Sequence, residues 1–279
     1  MKLHPDSDAG TVPFGEAQIA FHDTGAPGDG RTPIVLVHGT GGSTETHFRT
    51  VFPMLAARHR VIGLDLTVSP GTDLDALVAQ VVAVIEARAA KQPVHLVGYS
   101  LGAVVTAALA GRRQDLVETL TLIAGWITTD KQQRVRNSVW QALFEQGGRP
   151  LQEFETFAAY SAQFLRSRAD QDLENLIAGR TSRAGVDIEM AINRSVDITS
   201  DVERITAPTL VIGATADQMV PIVHSYMLFG GIEDARLAEV DAGHAITSER
   251  PAQVFMLIDD FVKEPAAVPA GNTIQPLTV

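Results

Sequence analysis

The chain has 279 residues, no cysteine and a formal net charge of −11, which excludes disulfides, thiolate metal sites and cysteine nucleophiles and argues against a nucleic-acid partner, because negative charge repels phosphate backbones. Hydrophobic residues make up 45% and charged residues 20%, the balance of a soluble globular protein. The N-terminal stretch shows no apolar signal core and no run approaches the roughly 18 residues of a membrane span, so a cytoplasmic protein without a membrane span is expected.

Residues 16–22, EAQIAFH, read as an early strand. PIVLV (33–37) is nearly all apolar, the pattern of a strand buried on both faces. A glycine-rich loop, HGTGGSTET, follows, then a helix over 47–58. RVIGLDL (60–66) is a second buried strand, with Asp65 near its end. Leu74, Leu77, Val78, Val81, Val82 and Ile85 recur at helical spacing and predict a helix over 73–90. PVHLV (93–97) is the next strand, 101–113 the next helix and VETLTLIAG (117–125) a further strand. This alternation argues for a parallel sheet with helices on both faces.

Residues 126–200 break the rhythm. They hold helix-like segments near 131–146, 151–168, 170–179 and 186–195, and no strand. Strands resume at 208–213 and 235–241, and 248–262 reads as a closing helix. The fold class is therefore α/β: a core over 1–125 and 201–263, a helical insert over 126–200 and a proline-containing tail, 264–279, expected to be irregular. The insert follows a strand, so it leaves the sheet at the carboxyl edge, where open α/β sheets bind ligands. A helical insert there is placed to be a cap.

GYSLG (98–102) sits between a strand and a helix. A sharp strand-to-helix turn exposes a serine hydroxyl, and small residues two positions either side permit the close packing. Ser100 is thus a candidate nucleophile, flanked by Gly98 and Gly102. A serine needs a base. His95 lies inside a strand, His22 ends one, and His4, His59 and His224 read as surface residues. His244, in DAGHAIT after the last core strand, is the preferred base. A carboxylate must orient it. Asp65 and Asp130 compete for that role, but Asp217 completes the chain order Ser, Asp, His. Two backbone N–H groups, those of Thr40 and Leu101, are candidates to stabilise the charge on a reacting carbonyl.

With HGTGG after a strand, GYSLG at a strand–turn–helix, GATADQMVP and GHAITSERP, the sequence resembles the α/β-hydrolase family over about residues 15–263. The resemblance implies a mostly parallel eight-stranded sheet with an inserted cap, Ser100 as nucleophile, His244 as base, Asp217 as its orienter and Thr40 and Leu101 as oxyanion hole. Several features depart from relatives. The stretch after Asp65, DLTVSPGTDLD, lacks the glycine-rich pattern many of them carry. Serine at the nucleophile position argues against epoxide hydrolases and haloalkane dehalogenases, which use Asp. Ala245 stands where carbon–carbon bond hydrolases often have Trp, and Leu101 gives no support to a perhydrolase-like branch.

Seven of the 16 aromatic residues fall within 126–164. An aromatic cap would make an apolar pocket, with His38, Gly39, Tyr99, Trp126, Trp140 and Tyr160 as its expected wall. The expected substrate is a small-molecule apolar ester, lactone or thioester, acyl or aromatic, with no metal or organic cofactor. A carbon–carbon bond hydrolase on the same triad, a non-hydrolytic cyclase or lyase, and a ligand-binding member of the fold are the alternatives.

Overall fold

In the computed structural model the described residues are 3–26 and 28–276. The first two residues of the N-terminal stretch and the last three of the tail lie outside them. A hairpin opens the fold: β1 (Asp8–Phe14) pairs antiparallel with β2 (Ala17–Asp23). The next elements are β3 (Ile34–Val37), α1 (Thr44–His47), α2 (Val51–Ala56), β4 (Val61–Asp65), α3 (Leu74–Arg88), β5 (Val94–Tyr99), α4 (Leu101–Arg112) and β6 (Val117–Ile123). Five helices follow: α5 (Lys131–Gln146), α6 (Arg149–Ala159), α7 (Ala162–Arg166), α8 (Asp170–Ala178) and α9 (Val186–Arg194). The chain closes with α10 (Thr199–Val202), β7 (Thr209–Ala214), α11 (Val223–Gly231), β8 (Ala235–Val240), α12 (Ile246–Glu249), α13 (Pro251–Lys263) and β9 (Thr273–Ile274).

The sheet has nine strands in the order β1-β2-β4-β3-β5-β6-β7-β8-β9. Only the β1–β2 and β2–β4 pairings are antiparallel; the rest are parallel. The expected count of eight is thus corrected to nine. The tail, expected to be irregular, adds a strand at one edge. It carries β9, its Gly271 N–H donates to the Ala235 carbonyl at 2.8 Å, and Arg236 Nε donates to the Val268 carbonyl at 2.7 Å. Two other expected helices are each split. Residues 47–58 fall in α1 and α2, and 151–168 break at Tyr160, because the Ser161 side chain caps α7 instead of continuing α6.

The central strands are apolar on both faces because both faces are covered. On one side Leu77, Val81 and Ile85 of α3 pack with Val104, Val105 and Leu109 of α4. On the other, Phe52 and Leu55 of α2 meet Val254, Ile258 and Phe261 of α13. Helix α4 is buried from Leu101 through Gly111, which its run of Ala and Gly permits by letting neighbours approach closely. The helical segment closes on itself at its neck: Thr129 N–H donates to the Val196 carbonyl and Ile198 N–H to the Ile127 carbonyl, both at 3.0 Å. Among the described residues no helix is long and apolar enough to cross a membrane.

The turn at Ser100 rests on close backbone approach. A Cβ on Gly102 would fall on the Val37 carbonyl oxygen, and one on Gly98 would fall on Thr106 Oγ1. Interiors this tightly packed do not yield space freely. Gly102→Ala is therefore expected to lower the unfolding free energy by about 1–3 kcal/mol, measured by urea denaturation. An unchanged midpoint would show that β3 and α4 part at no cost.

Candidate active site

Ser100 has φ 56° and ψ −121°, a positive φ that a serine adopts only under constraint. The strain turns the chain abruptly from β5 into α4. Gly39 lies directly against it: a Cβ there would sit 2.7 Å from Ser100 Cβ. The flanking glycines serve packing, since neither Gly98 nor Gly102 has positive φ; the serine itself takes the unusual dihedral.

Ser100 Oγ is 2.9 Å from His244 Nε2, and His244 Nδ1 is 2.7 Å from Asp217 Oδ2. Asp217 Oδ1 accepts the N–H groups of Met219 (2.7 Å) and Val220 (2.8 Å). These bonds fix the carboxylate, which in turn assigns the proton of the neutral imidazole to Nδ1 and leaves Nε2 to accept from the serine. All three residues are buried. The Tyr99 hydroxyl donates to the His244 carbonyl at 2.8 Å, and burial pushes its pKa up, so it stays a donor. The two competing acids act elsewhere. Asp65 accepts the Thr44 N–H at 2.7 Å, and Asp130 caps α5 through the Gln133 N–H at 2.8 Å.

The loop after β3 is pinned at successive atoms. Gly39 N–H donates to His47 Nδ1 (3.0 Å), and His38 Nδ1 donates to the Gly39 carbonyl (2.8 Å). Thr40 Oγ1 accepts from Asn193 Nδ2 (2.8 Å), and Gly41 N–H donates to Glu189 Oε2 (2.6 Å). Glu189 also pairs with Arg183. The N–H groups of Thr40 and Leu101 have no partner among the described residues. Leu101 is the first residue of α4, where N–H groups are free and the helix dipole is positive.

These groups open on a cavity of about 250 Å³ lined by Thr40, Tyr99, Ser100, Trp126, Trp140, Tyr160 and His244. Two expected wall residues are corrected. His38 is fully buried behind the loop, with Nε2 accepting the Leu66 N–H at 2.9 Å, and Gly39 abuts the serine without lining the cavity. Of the other aromatics, Phe144 stacks on Trp140 and Phe164 on Tyr160, while Phe157 is exposed. The wall is less apolar than the aromatic content suggests, because Gln133, Arg136, Asn137, Glu155, Arg180 and Arg183 also face it. His224, expected at the surface, is buried on α11 with Nε2 3.2 Å from Asp130 Oδ2. Sequence reasoning also missed His47, Glu189, Asn193 and Glu249. Glu249 accepts Gly243 N–H (3.1 Å), Ser161 N–H (2.7 Å) and Ser161 Oγ–H (2.6 Å), tying the His244 loop to the α6–α7 junction. Among the described residues no cluster of three or more His, Asp or Glu is arranged to hold a metal ion.

A serine on a strained strand-to-helix turn, bonded to a histidine that an aspartate orients, is the arrangement of a serine-based acyl-transfer site. A family model described as "Alpha/beta hydrolase family" matches residues 34–257, and the chain belongs to that family. It is similar to a pyrrolizixenacetamide deacetylase of Xenorhabdus hominickii, 29% identical over 263 residues, covering 90% of this chain and 97% of that protein. It is also similar to RutD of Variovorax paradoxus (strain S110), whose name assigns it provisionally as a carbamate hydrolase: 28% identical, covering 84% of this chain and 92% of that one. Among solved structures, MGS-M2, an alpha/beta hydrolase enzyme from a Medee basin deep-sea metagenome library, superposes with a TM-score of 0.82. It is 18% identical and covers 91% of this chain and 97% of its own.

Burial lowers the pKa of His38, His47, His95 and His224, with His95 reaching about 4. In the unfolded chain histidine takes up its proton near 6.5. Between that value and the lower folded values the unfolded chain binds more protons, so stability is full above about pH 6.5 and falls as the pH drops below it. Urea unfolding at pH 5.0 is expected to give a free energy more than about 2 kcal/mol below that at pH 7.5. A flat profile would mean that these rings are solvated.

Proposed function

We propose that this chain is a serine hydrolase that cleaves a carboxylic ester or acyl amide through an acyl-enzyme at Ser100, with residues 126–200 as the cap over the site. The observation that carries the reading is the unbroken chain of hydrogen bonds from Ser100 Oγ through His244 to Asp217, beside the N–H groups of Thr40 and Leu101, which have no partner among the described residues.

Ser100 Oγ attacks the substrate carbonyl as His244 Nε2 takes its proton. Asp217 holds the Nδ1 proton in place and stabilises the imidazolium that forms. The carbonyl oxygen becomes an oxyanion and accepts from the N–H groups of Thr40 and Leu101, an interaction in which each donor typically supplies about 3 kcal/mol. The tetrahedral intermediate collapses, His244 returns the proton to the leaving alcohol or amine, and the acyl group stays on Ser100. Water, deprotonated by His244, then releases the carboxylic acid. The loop pins at Gly39, Thr40 and Gly41 fix the donors in advance, so no reorganisation is needed when charge develops. The names of the deacetylase and of RutD both refer to removal or cleavage at a carbonyl bound to a heteroatom. That supports ester or amide cleavage over the carbon–carbon alternative.

A small fluorophosphonate is expected to add once to the protein by intact mass, and Ser100→Ala and His244→Ala are expected to abolish the adduct. Asp217→Asn should leave binding intact and lower the hydrolysis rate by about 10⁴-fold. An adduct that persists in Ser100→Ala would sink the reading.

A further inference from the structure

Helix α5 carries its polarity inside out. Val135 and Val139 stand in solvent, 66% and 43% exposed, while Gln133, Asn137 and Trp140 are buried. Arg136 lines the cavity beside them. These positions follow the spacing i, i+3, i+4, i+7 of one helix face. A helix covering an apolar pocket would bury its valines. Turning a polar stripe inward costs free energy unless the groups find partners; Gln133 Oε1 accepts the Asp130 N–H, Asn137 Oδ1 accepts from Arg136 and Trp140 Nε1 donates to Glu155, which leaves Arg136 as the residue of this face with an unmet buried donor.

Arg136 has one side-chain hydrogen bond among the described residues. Its Nη2 donates to Asn137 Oδ1 at 2.6 Å, while its buried Nε has no acceptor. Among the described residues it makes no ion pair, whereas Arg183 in the same wall pairs with Glu189. The acids whose fields reach it are Asp217 and Glu155. Asp217 is committed to His244, Met219 and Val220, and Glu155 accepts the Trp140 Nε1–H at 2.8 Å. Burial pushes the Arg136 pKa down and those two fields oppose the fall. Arg180, also in the wall, lies 5.1 Å over the Tyr160 ring and likewise makes no ion pair.

We propose that Arg136 binds a free carboxylate on the substrate, so that the site selects acyl compounds carrying a separate anionic group. This rests on the hydrolase reading. A guanidinium fork matches the two oxygens of a carboxylate. A single negative charge suits the wall better than a phosphate dianion, because Glu155 and Asp217 already contribute negative field there. Arg180 supports the same anion from the Tyr160 side.

The test uses matched substrates and the full chain. p-Nitrophenyl monoesters of succinate, glutarate and adipate are compared with uncharged esters of equal acyl length, and 4-carboxyphenyl acetate with phenyl acetate. In at least one pair the charged member is expected to show a kcat/KM about tenfold or more above its partner. Arg136→Gln should remove that preference chiefly through KM, and Arg136→Lys should restore part of it. Fluorophosphonate labelling is run on the same samples. Labelled Ser100 with no preference for charge in any pair overturns the inference and leaves the hydrolase reading standing. No label on the unsubstituted protein overturns that reading and the inference with it. The preference of the unsubstituted protein is read without any variant, so a poorly folded Arg136→Gln leaves the test intact.

Discussion

Two stretches of backbone have to share one place at the carboxyl edge of the sheet, and the site is arranged around that crowding. The loop after β3 runs against the turn after β5, with Gly39 on Ser100 and Gly102 on the Val37 and His38 carbonyls. Only residues without a Cβ allow the contact. The approach forces Ser100 into positive φ and sets the start of α4 beside the loop. His38 and His47 then hold Gly39 from both of its polar atoms. Their burial keeps the rings in their neutral forms, which is the form in which one ring nitrogen donates and the other accepts.

The helical segment between β6 and β7 is tied to the core by polar contacts. Asn193 and Glu189 of α9 reach the loop at Thr40 and Gly41, across more than a hundred residues of sequence. Glu249 of α12 reaches back to Ser161. Buried carboxylates are tolerated where hydrogen bonds or cations satisfy them: Glu189 has the Gly41 N–H and Arg183, and Glu249 has three hydrogen bonds. Core and insert therefore share polar contacts on two sides of the Ser100–His244 pair.

The core was legible because its signals are local. Apolar runs at Ile34–Val37 and Thr209–Ala214, and the spacing of Leu77, Val81 and Ile85, depend only on neighbours in sequence. GYSLG and GHAIT were readable for the same reason, as a turn type writes its own residues. Strands β1 and β9 were not, since one is a partly exposed edge strand containing Gly10 and Pro13 and the other has two residues. Glu189, Asn193 and Glu249 act across long loops, and nothing near them in sequence marks that. Arg136 is different: its signal was present, in the spacing of Gln133, Asn137 and Trp140 against Val135 and Val139, but a search for apolar stripes passes over a polar one.

The tie at the α6–α7 junction has a mechanical meaning. Ser161 is bonded to Glu249, and Ala245 N–H to the Ala159 carbonyl at 2.7 Å, so the chain just after His244 is stitched to the helical segment there. Gly243 has no room even for a methyl group against the Tyr160–Ser161 backbone. A hinge cannot work at a point where movement would drag the imidazole away from Ser100. This junction is the anchored shore of the helical segment, where a shift of α6 or α7 would carry the His244 loop with it.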